Sequence, residues 1–391
     1  MKILIAVHTY YPDKNGVQGV TQYIAEGLAK NHEVKVVTQL RNGYLKDQVH
    51  SGVSIKRIKV KKIRFWFFGE KHKYTKLITD YDADVFICVC IQSWTSDWTI
   101  HKVKKIKGMK ILYTHGYSAL KKEYSIKTAI RNLSIGKIVS EIYWSFYYSN
   151  IYKYINKYDL VTYLSEHDQS VWYAKEHKLS NGIILGNAVE DEFFAYSILD
   201  EKSRFTSHKE LVYLNVANYF EYKNQELAME AFYKAKLRNC KMIFLGNEKT
   251  KYYDRLIKTK AKCEKKYGIR NVELLYGKSR DEVFEIYKNA DVCIVSSKIE
   301  AFPISICEAM TLGMSLISTD VGSVATLPGI TIVNNQEEMI EAMLDLYHDP
   351  DKRIENGIKS REYAIENFAS QTKIEALEHE IKSYMTDLEN R

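Results

Sequence analysis

The sequence predicts an α/β protein made of two successive, mostly parallel sheets with helices on both faces. Three observations carry this. Short apolar runs recur along the chain and alternate with segments whose apolar residues fall at helical spacing, the pattern of parallel sheets. The alternation lapses at 197–210, SILDEKSRFTSHKE, which is polar and without period, and then restarts. Finally, 391 residues with 46% hydrophobic content suffice for two cores and exceed one ordinary core.

Residues 2–8 suit a buried parallel strand. TYYPDKNGVQG follows, then 20–30 with Val20, Ile24, Ala25 and Leu28 on a helical period, then a strand at 34–38. Strand, glycine loop, helix and strand make a βαβ opening. The loop 15–19 lacks the GxGxxG spacing of a dinucleotide fingerprint, which disfavours hydride transfer. Gly19, just before the helix, either lets the backbone approach a phosphate or belongs to an ordinary turn.

Residues 56–76 hold nine Lys/Arg against one Glu around Phe65-Trp66-Phe67-Phe68. Four adjacent aromatics do not all face one core, so some are expected at the surface. Basic residues beside exposed aromatics suit an anionic membrane surface. The other reading is a strand and loop with solvated lysines. Residues 1–200 contain 29 Lys/Arg and 19 Asp/Glu, so +10, and the rest contain 28 and 30, so −2. The excess points to an anionic surface or acceptor met by the first half. Nucleic acid is not an expected partner, because no recognition motif accompanies the charge.

Strands follow at 85–90 and 110–114, with a helix at 97–107 between them. The second ends in His115-Gly116. A His at the carboxyl end of a parallel strand stands where ligands gather, as a donor to a sugar or phosphate oxygen or as a structural residue. Residues 117–158 read as a long helical segment, with six tyrosines and a tryptophan in 139–158. A strand at 160–164 leads to Ser165-Glu166 as a helix start. A short strand at 182–185 closes this half.

The second series begins with a strand at 211–216 that ends in Val216-Ala217-Asn218. Lys223 lies in the next loop, before a helix at 225–236. A strand at 242–245 leads to Gly246-Asn247, a helix at 250–267 follows, and a strand at 272–276 leads to Gly277-Lys278. After a helix at 281–289 and a strand at 290–295 comes SSKIEAFPISICE, 296–308. Its carboxylates, Glu300 and Glu308, bracket a junction between a strand end and a helix N-terminus, where open α/β sheets hold ligands. Strands at 315–319 and 330–333 follow, then helical patterns at 336–348, 351–367 and 370–389. Ile374, Leu377, Ile381, Tyr384 and Leu388 stripe the last of these.

Several classes are disfavoured. The six cysteines form no CxxC pair and read as reduced core thiols of a cytosolic protein. No His/Asp/Cys cluster has metal-ligand spacing. The first apolar run is too short for a signal peptide, and none reaches 18 residues.

From Glu300 onward the chain resembles a known signature. The pattern E-x-F-x-x-x-x-x-E, then AM-x-x-G and D-x-G, is present as Glu300, Phe302, Glu308, Ala309-Met310, Gly313, Asp320 and Gly322. It is similar to that of the retaining GT-B glycosyltransferases of the GT4 family. Gly19–Val37, Thr114-His115-Gly116, Leu164-Ser165-Glu166, Asn187-Ala188-Val189, Ala217–Lys223, Leu245-Gly246, Gly277 and Ala290-Asp291 resemble further family positions in order. Only 56–76 and 117–158 are markedly unlike the family.

The resemblance implies a GT-B fold with two Rossmann-like domains facing a central cleft. Residues 1–195 would bind the acceptor and 209–368 the nucleotide-sugar, while a helix at 369–391 packs back on the first domain. It implies a retaining hexosyl- or N-acetylhexosaminyltransferase, metal-independent and without a cofactor beyond its donor. That donor would be a UDP-sugar, by family frequency. The acceptor would be a glycan or a lipid-linked glycan of bacterial surface polysaccharide synthesis, such as capsule or lipopolysaccharide. The site would lie in the cytoplasm at the inner face of the membrane. Glu308 would take the ribose hydroxyls and Glu300 those of the transferred sugar. Phe302, Pro303, Ile304 and Ser305 would face sugar and phosphate, and Lys223 the diphosphate. Gly19 would close over the acceptor or phosphate side, and His115 would stand beside the sugar. Asn218, Gly246 and Lys278 complete the expected donor site.

The chain departs from the family at five places, one of which is the absence near 325–330 of the usual acidic-glycine turn after the D-x-G strand. Asn218 replaces the usual Arg, which leaves most of the charge to Lys223 unless Lys278 compensates. Gln18-Gly19 stands for a glycine pair, Ala301 for a glycine, and Pro303 for a small flexible residue. Two alternatives remain. One is another sugar-nucleotide enzyme on the same scaffold, an epimerase or a phosphorylase. The other is a non-catalytic sugar-nucleotide or glycan-binding protein, which Asn218 alone favours.

Overall fold

The structure, a computed structural model, describes residues 1–13, 16–117, 135–201 and 210–390. Asn15, 118–134 of the expected long helix, 202–209 of the polar boundary stretch and the Leu388 side chain lie outside the described residues. The chain divides into two units, Met1–Gly186 with Gln371–Arg391, and Asn187–Ser370.

The strands of the first unit are β1 (Lys2–Ala6), β2 (Glu33–Gln39), β3 (Asp47–His50), β4 (Val53–Ile58), β5 (Val60–Ile63), β6 (Trp66–Gly69), β7 (Val85–Val89), β8 (Met109–Tyr113), β9 (Leu160–Tyr163) and β10 (Gly182–Ile184). Eight form one sheet in the order β10-β9-β8-β7-β1-β2-β4-β3. It is parallel except where β3 runs antiparallel to β4 at the edge. The central strands β1 and β7 are buried on both faces apart from Lys2. That is why they read as unbroken apolar runs.

The first helix is Gly16–Ala29, four residues longer at its start than the apolar period indicates. Its buried face continues through Gln18, 3% exposed, whose amide donates to Gln22 Oε1 at 2.7 Å. An apolar pattern does not register a buried polar residue, so Gly19 lies inside the helix and not in the loop before it. The helix expected at 97–107 is Trp94–Thr99, opened by a Ser93–Ser96 capping box, followed by one 3-10 turn at Val103–Lys105. The helix expected from Ser165 begins at Gln169, where Asp168 accepts a hydrogen bond from Ser170 N at 2.9 Å.

Residues 56–76 resolve into the end of β4, the separate hairpin β5–β6, and a helix at Lys71–Asp80. Arg57 is not at the surface. It is fully buried and donates to the carbonyls of Tyr11 at 2.6 Å and Leu45 at 2.7 Å, and to Gln48 Oε1 at 3.1 Å. On β6 the strand period of two separates the aromatics. Trp66 and Phe68 are 54% and 52% exposed, whereas Phe67 packs against the core. Phe65 stacks at 4.4 Å on Tyr143 of the helix Ile135–Ile155. The last helix, Ser370–Glu389, buries Ile374, Leu377 and Ile381. Ile374 packs directly on Gly27, and Glu378 meets the His32 ring nitrogen at 3.1 Å.

The second unit holds β11 (Leu211–Val216), β12 (Cys240–Gly246), β13 (Asn271–Tyr276), β14 (Val292–Val295), β15 (Ser315–Thr319) and β16 (Ile330–Val333). All are parallel, in the order β13-β12-β11-β14-β15-β16. Counted from β11 this is the 3-2-1-4-5-6 order of a doubly wound sheet, and it reverses direction between β11 and β14. Among the described residues no helix is long and apolar enough to cross a membrane.

Candidate functional site

Ligands of doubly wound sheets bind beyond the carboxyl ends of the strands, where the strand order reverses. In the second unit two loops meet there. One leaves β11 and ends in the turn Glu221–Lys223, before the helix Gln225–Ala235. The other leaves β14 as 296–303. Ser296 Oγ donates to the Lys223 carbonyl at 3.1 Å, and Lys298 N to the Tyr222 carbonyl at 2.8 Å. Across this seam Lys223 Nζ stands 2.5 Å from Glu300 Oε1, with side chains 17% and 12% exposed. Ser297 Oγ donates to the same oxygen at 2.6 Å.

Gly322 holds the Glu300 loop from below. Its φ is +55°, and a Cβ there would lie 2.2 Å from the Ala301 carbonyl oxygen and 2.7 Å from that of Glu300. Glycine is required on both counts. The motif reading named Gly322 without a role, and its role is to let the backbone bearing Glu300 lie flat on the turn after β15.

Next comes the helix Ile304–Thr311, with Pro303, which makes no side-chain cap bond, at its N-cap. Phe302 is buried, its ring edge-on to Phe368 at 5.8 Å, and its carbonyl accepts a hydrogen bond from Asn187 Nδ2 at 2.8 Å. The chain is thus pinned just before the helix. Ile304 and Ser305 stand half-buried in a first turn that retains its positive dipole end.

Glu308 lies one turn further on and is 4% exposed. Its Oε1 accepts a hydrogen bond from Arg280 Nη2 at 2.6 Å, and Arg280 Nε donates to Glu190 Oε2 at 2.7 Å. Burial disfavours the Arg280 charge, but Glu308 and Glu190 outweigh it and raise the pKa further. Sequence reasoning missed Arg280. It looked instead to Lys278, whose Nζ is held by Glu282 at 2.8 Å on its own helix. Lys278 therefore does not supply the charge missing at Asn218. Asn218 is exposed, and its Oδ1 accepts a hydrogen bond from Asn247 N at 3.2 Å, which ties the loops after β11 and β12. Gly246 leaves room for the Tyr219 ring, which a Cβ would approach to 2.5 Å.

The remaining candidates lie in the first unit. His115 follows β8, and its Nε2 is buried without a hydrogen-bond partner among the described residues. Burial lowers its pKa to about 4, so the ring is neutral at pH 7. His8, beyond β1, is lowered to about 4 by burial and by Lys62 and Arg41. Among the described residues nothing lies within 4 Å of where a Gly19 Cβ would stand, so their packing does not demand glycine there. Among the described residues no group of three or more His, Cys, Asp or Glu is arranged to hold a metal ion.

Comparison with known proteins places the fold. Residues 199–371, nearly all of the second unit and under half of the chain, match the family of glycosyl transferases group 1. No curated protein matches the sequence. Among solved structures, sucrose-phosphate synthase from Thermosynechococcus elongatus is similar at 13% identity, over 99% of each chain, with a TM-score of 0.72. HepE from Anabaena, solved in complex with UDP and glucose, is similar at 14% identity over 98% of this chain and 100% of that one, TM-score 0.72. A glycosyltransferase from Rickettsia africae is similar at 17% identity over 98% of each, TM-score 0.70. The chain has the two-domain α/β GT-B-like fold that its sequence predicts.

Proposed function

We propose that the protein is a retaining glycosyltransferase that moves a hexosyl or N-acetylhexosaminyl group from a UDP-sugar to a glycan or lipid-linked acceptor. The setting we propose is surface polysaccharide synthesis at the cytoplasmic face of a bacterial membrane. The observation that carries this is the Lys223–Glu300 pair, 2.5 Å apart at the reversal of the second sheet, in one segment with an uncapped helix N-terminus. A lysine and free helix N–H groups suit a diphosphate, and a half-buried carboxylate suits sugar hydroxyls. The family match over 199–371 and the UDP and UDP-glucose complexes of HepE support the donor class.

In this mechanism the bond from the anomeric carbon to the diphosphate breaks, and negative charge develops on the leaving oxygen. Lys223 and the amides of Ile304 and Ser305 stabilise it; one such donor is typically worth about 3–4 kcal/mol. Glu300 accepts hydrogen bonds from the sugar hydroxyls and orients the sugar. The acceptor hydroxyl attacks the same face and passes its proton to the departing phosphate. Glu308 takes the ribose hydroxyls. His115, a neutral ring, offers a hydrogen bond beside the transferred sugar. Fixed cationic and dipolar groups fill the role a metal would take, so EDTA should leave the rate unchanged. The first unit binds the acceptor. Its hairpin β5–β6 shows Ile63, Trp66 and Phe68 to solvent among Lys59, Lys61, Lys62 and Arg64, which suits an anionic lipid surface.

The test is turnover of UDP-, GDP- and dTDP-sugars by purified protein with and without glycan acceptors. Glu300→Ala should abolish it, and no turnover with any donor would sink the proposal. For the membrane contact, wild type should float with anionic liposomes and a Trp66→Ala/Phe68→Ala variant should not. Equal flotation would refute it.

A further inference from the structure

We infer that Arg280 is a positioning residue for ribose recognition, and that the donor therefore carries ribose rather than 2′-deoxyribose. This rests on the nucleotide-sugar reading of the same site. A carboxylate as buried as Glu308 is costly unless a partner hydrogen-bonds it and fixes its direction. Arg280 does so. One arm of its fork donates to Glu308 Oε1 at 2.6 Å, and its Nε donates to Glu190 Oε2 at 2.7 Å. Its guanidinium lies 4.9 Å over the ring of Phe193, which is fully buried and packs edge-on to Phe284 and Tyr287. Two acids and a ring fix the plane of the fork.

The local sequence builds this arrangement. A capping box between Ser279 and Glu282 sets the first turn of the helix Arg280–Lys288 and places Arg280 at its first position. Tyr287, two turns on, falls on the same face and directs its hydroxyl toward Glu308. The set of Glu308, Glu190 and Arg280 keeps a net charge of −1. Arg280 donates to Oε1, and the Tyr287 hydroxyl lies beside the same carboxylate. A carboxylate has about four lone-pair sites, so an oriented acceptor suited to the two adjacent hydroxyls of a ribose remains. A 2′-deoxyribose offers one hydroxyl fewer, and a hydrogen bond to a charged group corresponds to about 10- to 100-fold in affinity.

The experiment is calorimetric titration of UDP and 2′-deoxy-UDP. Wild type should bind UDP about 10- to 100-fold tighter. Arg280→Met should bring UDP close to 2′-deoxy-UDP while leaving the deoxy compound within about threefold, and Arg280→Lys should give an intermediate ratio. A merely structural role would weaken both nucleotides equally, and that result would overturn the inference. If Arg280→Met does not fold, Glu190→Gln removes the outer anchor; a ratio that falls supports the inference and an unchanged ratio overturns it. Wild type that binds UDP without preferring it also overturns it. Wild type that binds no nucleotide at all removes the underlying site reading instead.

Discussion

Glu300→Gln separates the two jobs assigned to the Lys223–Glu300 pair. In the free protein Lys223 Nζ faces Glu300 Oε1 at 2.5 Å, with both side chains mostly buried. A diphosphate that engages Lys223 must draw it away from Glu300 or share it. A half-buried, hydrogen-bonded pair of this kind is worth about 1–2 kcal/mol. Glutamine removes the charge yet can still accept from the Ser297 hydroxyl, which bonds the same oxygen at 2.6 Å, so no buried donor is orphaned. UDP affinity of Glu300→Gln should therefore hold or tighten, by up to about thirtyfold. Transfer should fall at least about a hundredfold, because the acceptor that orients the sugar is weakened. Lys223→Met should do the reverse to binding. It loses a charged hydrogen bond to phosphate worth about 1.5–3 kcal/mol, so UDP should weaken by about 10- to 150-fold. Calorimetric titration of UDP beside initial rates on the active UDP-sugar reads both. If Glu300→Gln weakens UDP as much as Lys223→Met, the two residues act as one unit and this division of labour is wrong.

Gly322→Ala should lower the melting temperature by a few degrees and weaken UDP by about tenfold or more, since a Cβ at φ +55° meets the Ala301 carbonyl at 2.2 Å and displaces the Glu300 loop; a variant with wild-type melting and affinity would contradict it. Burial pushes the Asp97 carboxyl up to about 7 despite its bonds to Tyr147 and Ser96, so between about pH 4 and 7 the folded state holds a proton that the unfolded chain releases. Stability falls as pH rises through that window, and Asp97→Asn should match wild type near pH 4 and exceed it at pH 8 in urea unfolding. His115 has the opposite sign. Its pKa is lowered to about 4, so the unfolded chain takes up the proton first, and the contribution of the neutral ring is full above about pH 6.5 and lost toward pH 4. His115→Gln should flatten the acid side of the stability profile, and an unchanged slope would count against a buried neutral ring.

The second sheet was the more legible half. Its four inner strands, β11, β12, β14 and β15, are short apolar runs buried on both faces and closed by turn residues, so burial and sequence carry the same signal. In the first unit β3, β4, β5 and β6 escaped notice: β3, β5 and β6 lie at the edge of the sheet or outside it, and in β4 Ser54, Lys56 and Arg57 interrupt the apolar run. VKKI of β5 has three exposed residues out of four, and no apolar run marks it. Arg57 shows the converse error. It reads as one more charge of a basic surface, yet it is core, held by carbonyls that lie 12 and 46 residues away. In the site, Glu300, Phe302 and Glu308 were legible because one loop and one helix carry them. Arg280 was not, because it reaches Glu308 from a neighbouring helix 28 residues upstream. The available signal was the Ser279–Glu282 cap, which fixes where that helix begins and hence that Arg280 stands at its first turn.

The departures from the family signature are not equivalent once each backbone is seen. Ala301 costs nothing locally. It is not among the residues with positive φ, and the close approach is made from the other side by Gly322. Pro303 occupies the N-cap with φ −67° and ψ 122°, where its missing N–H is not needed and its fixed φ prepares the helix start. These two changes leave the geometry of the loop and helix intact. Asn218 is different in kind. It bonds Asn247 N as a neutral group, and the cation that the sequence offered in compensation, Lys278, is committed to Glu282. On the proposed function, charge that the family commonly divides between two side chains rests in this unit on Lys223 and on the uncapped helix end. Lys223 must then serve Glu300 in the free protein and the diphosphate in the complex. On that reading the pair at the reversal of the second sheet is both a stabilising contact and the contact that donor binding must draw apart or share.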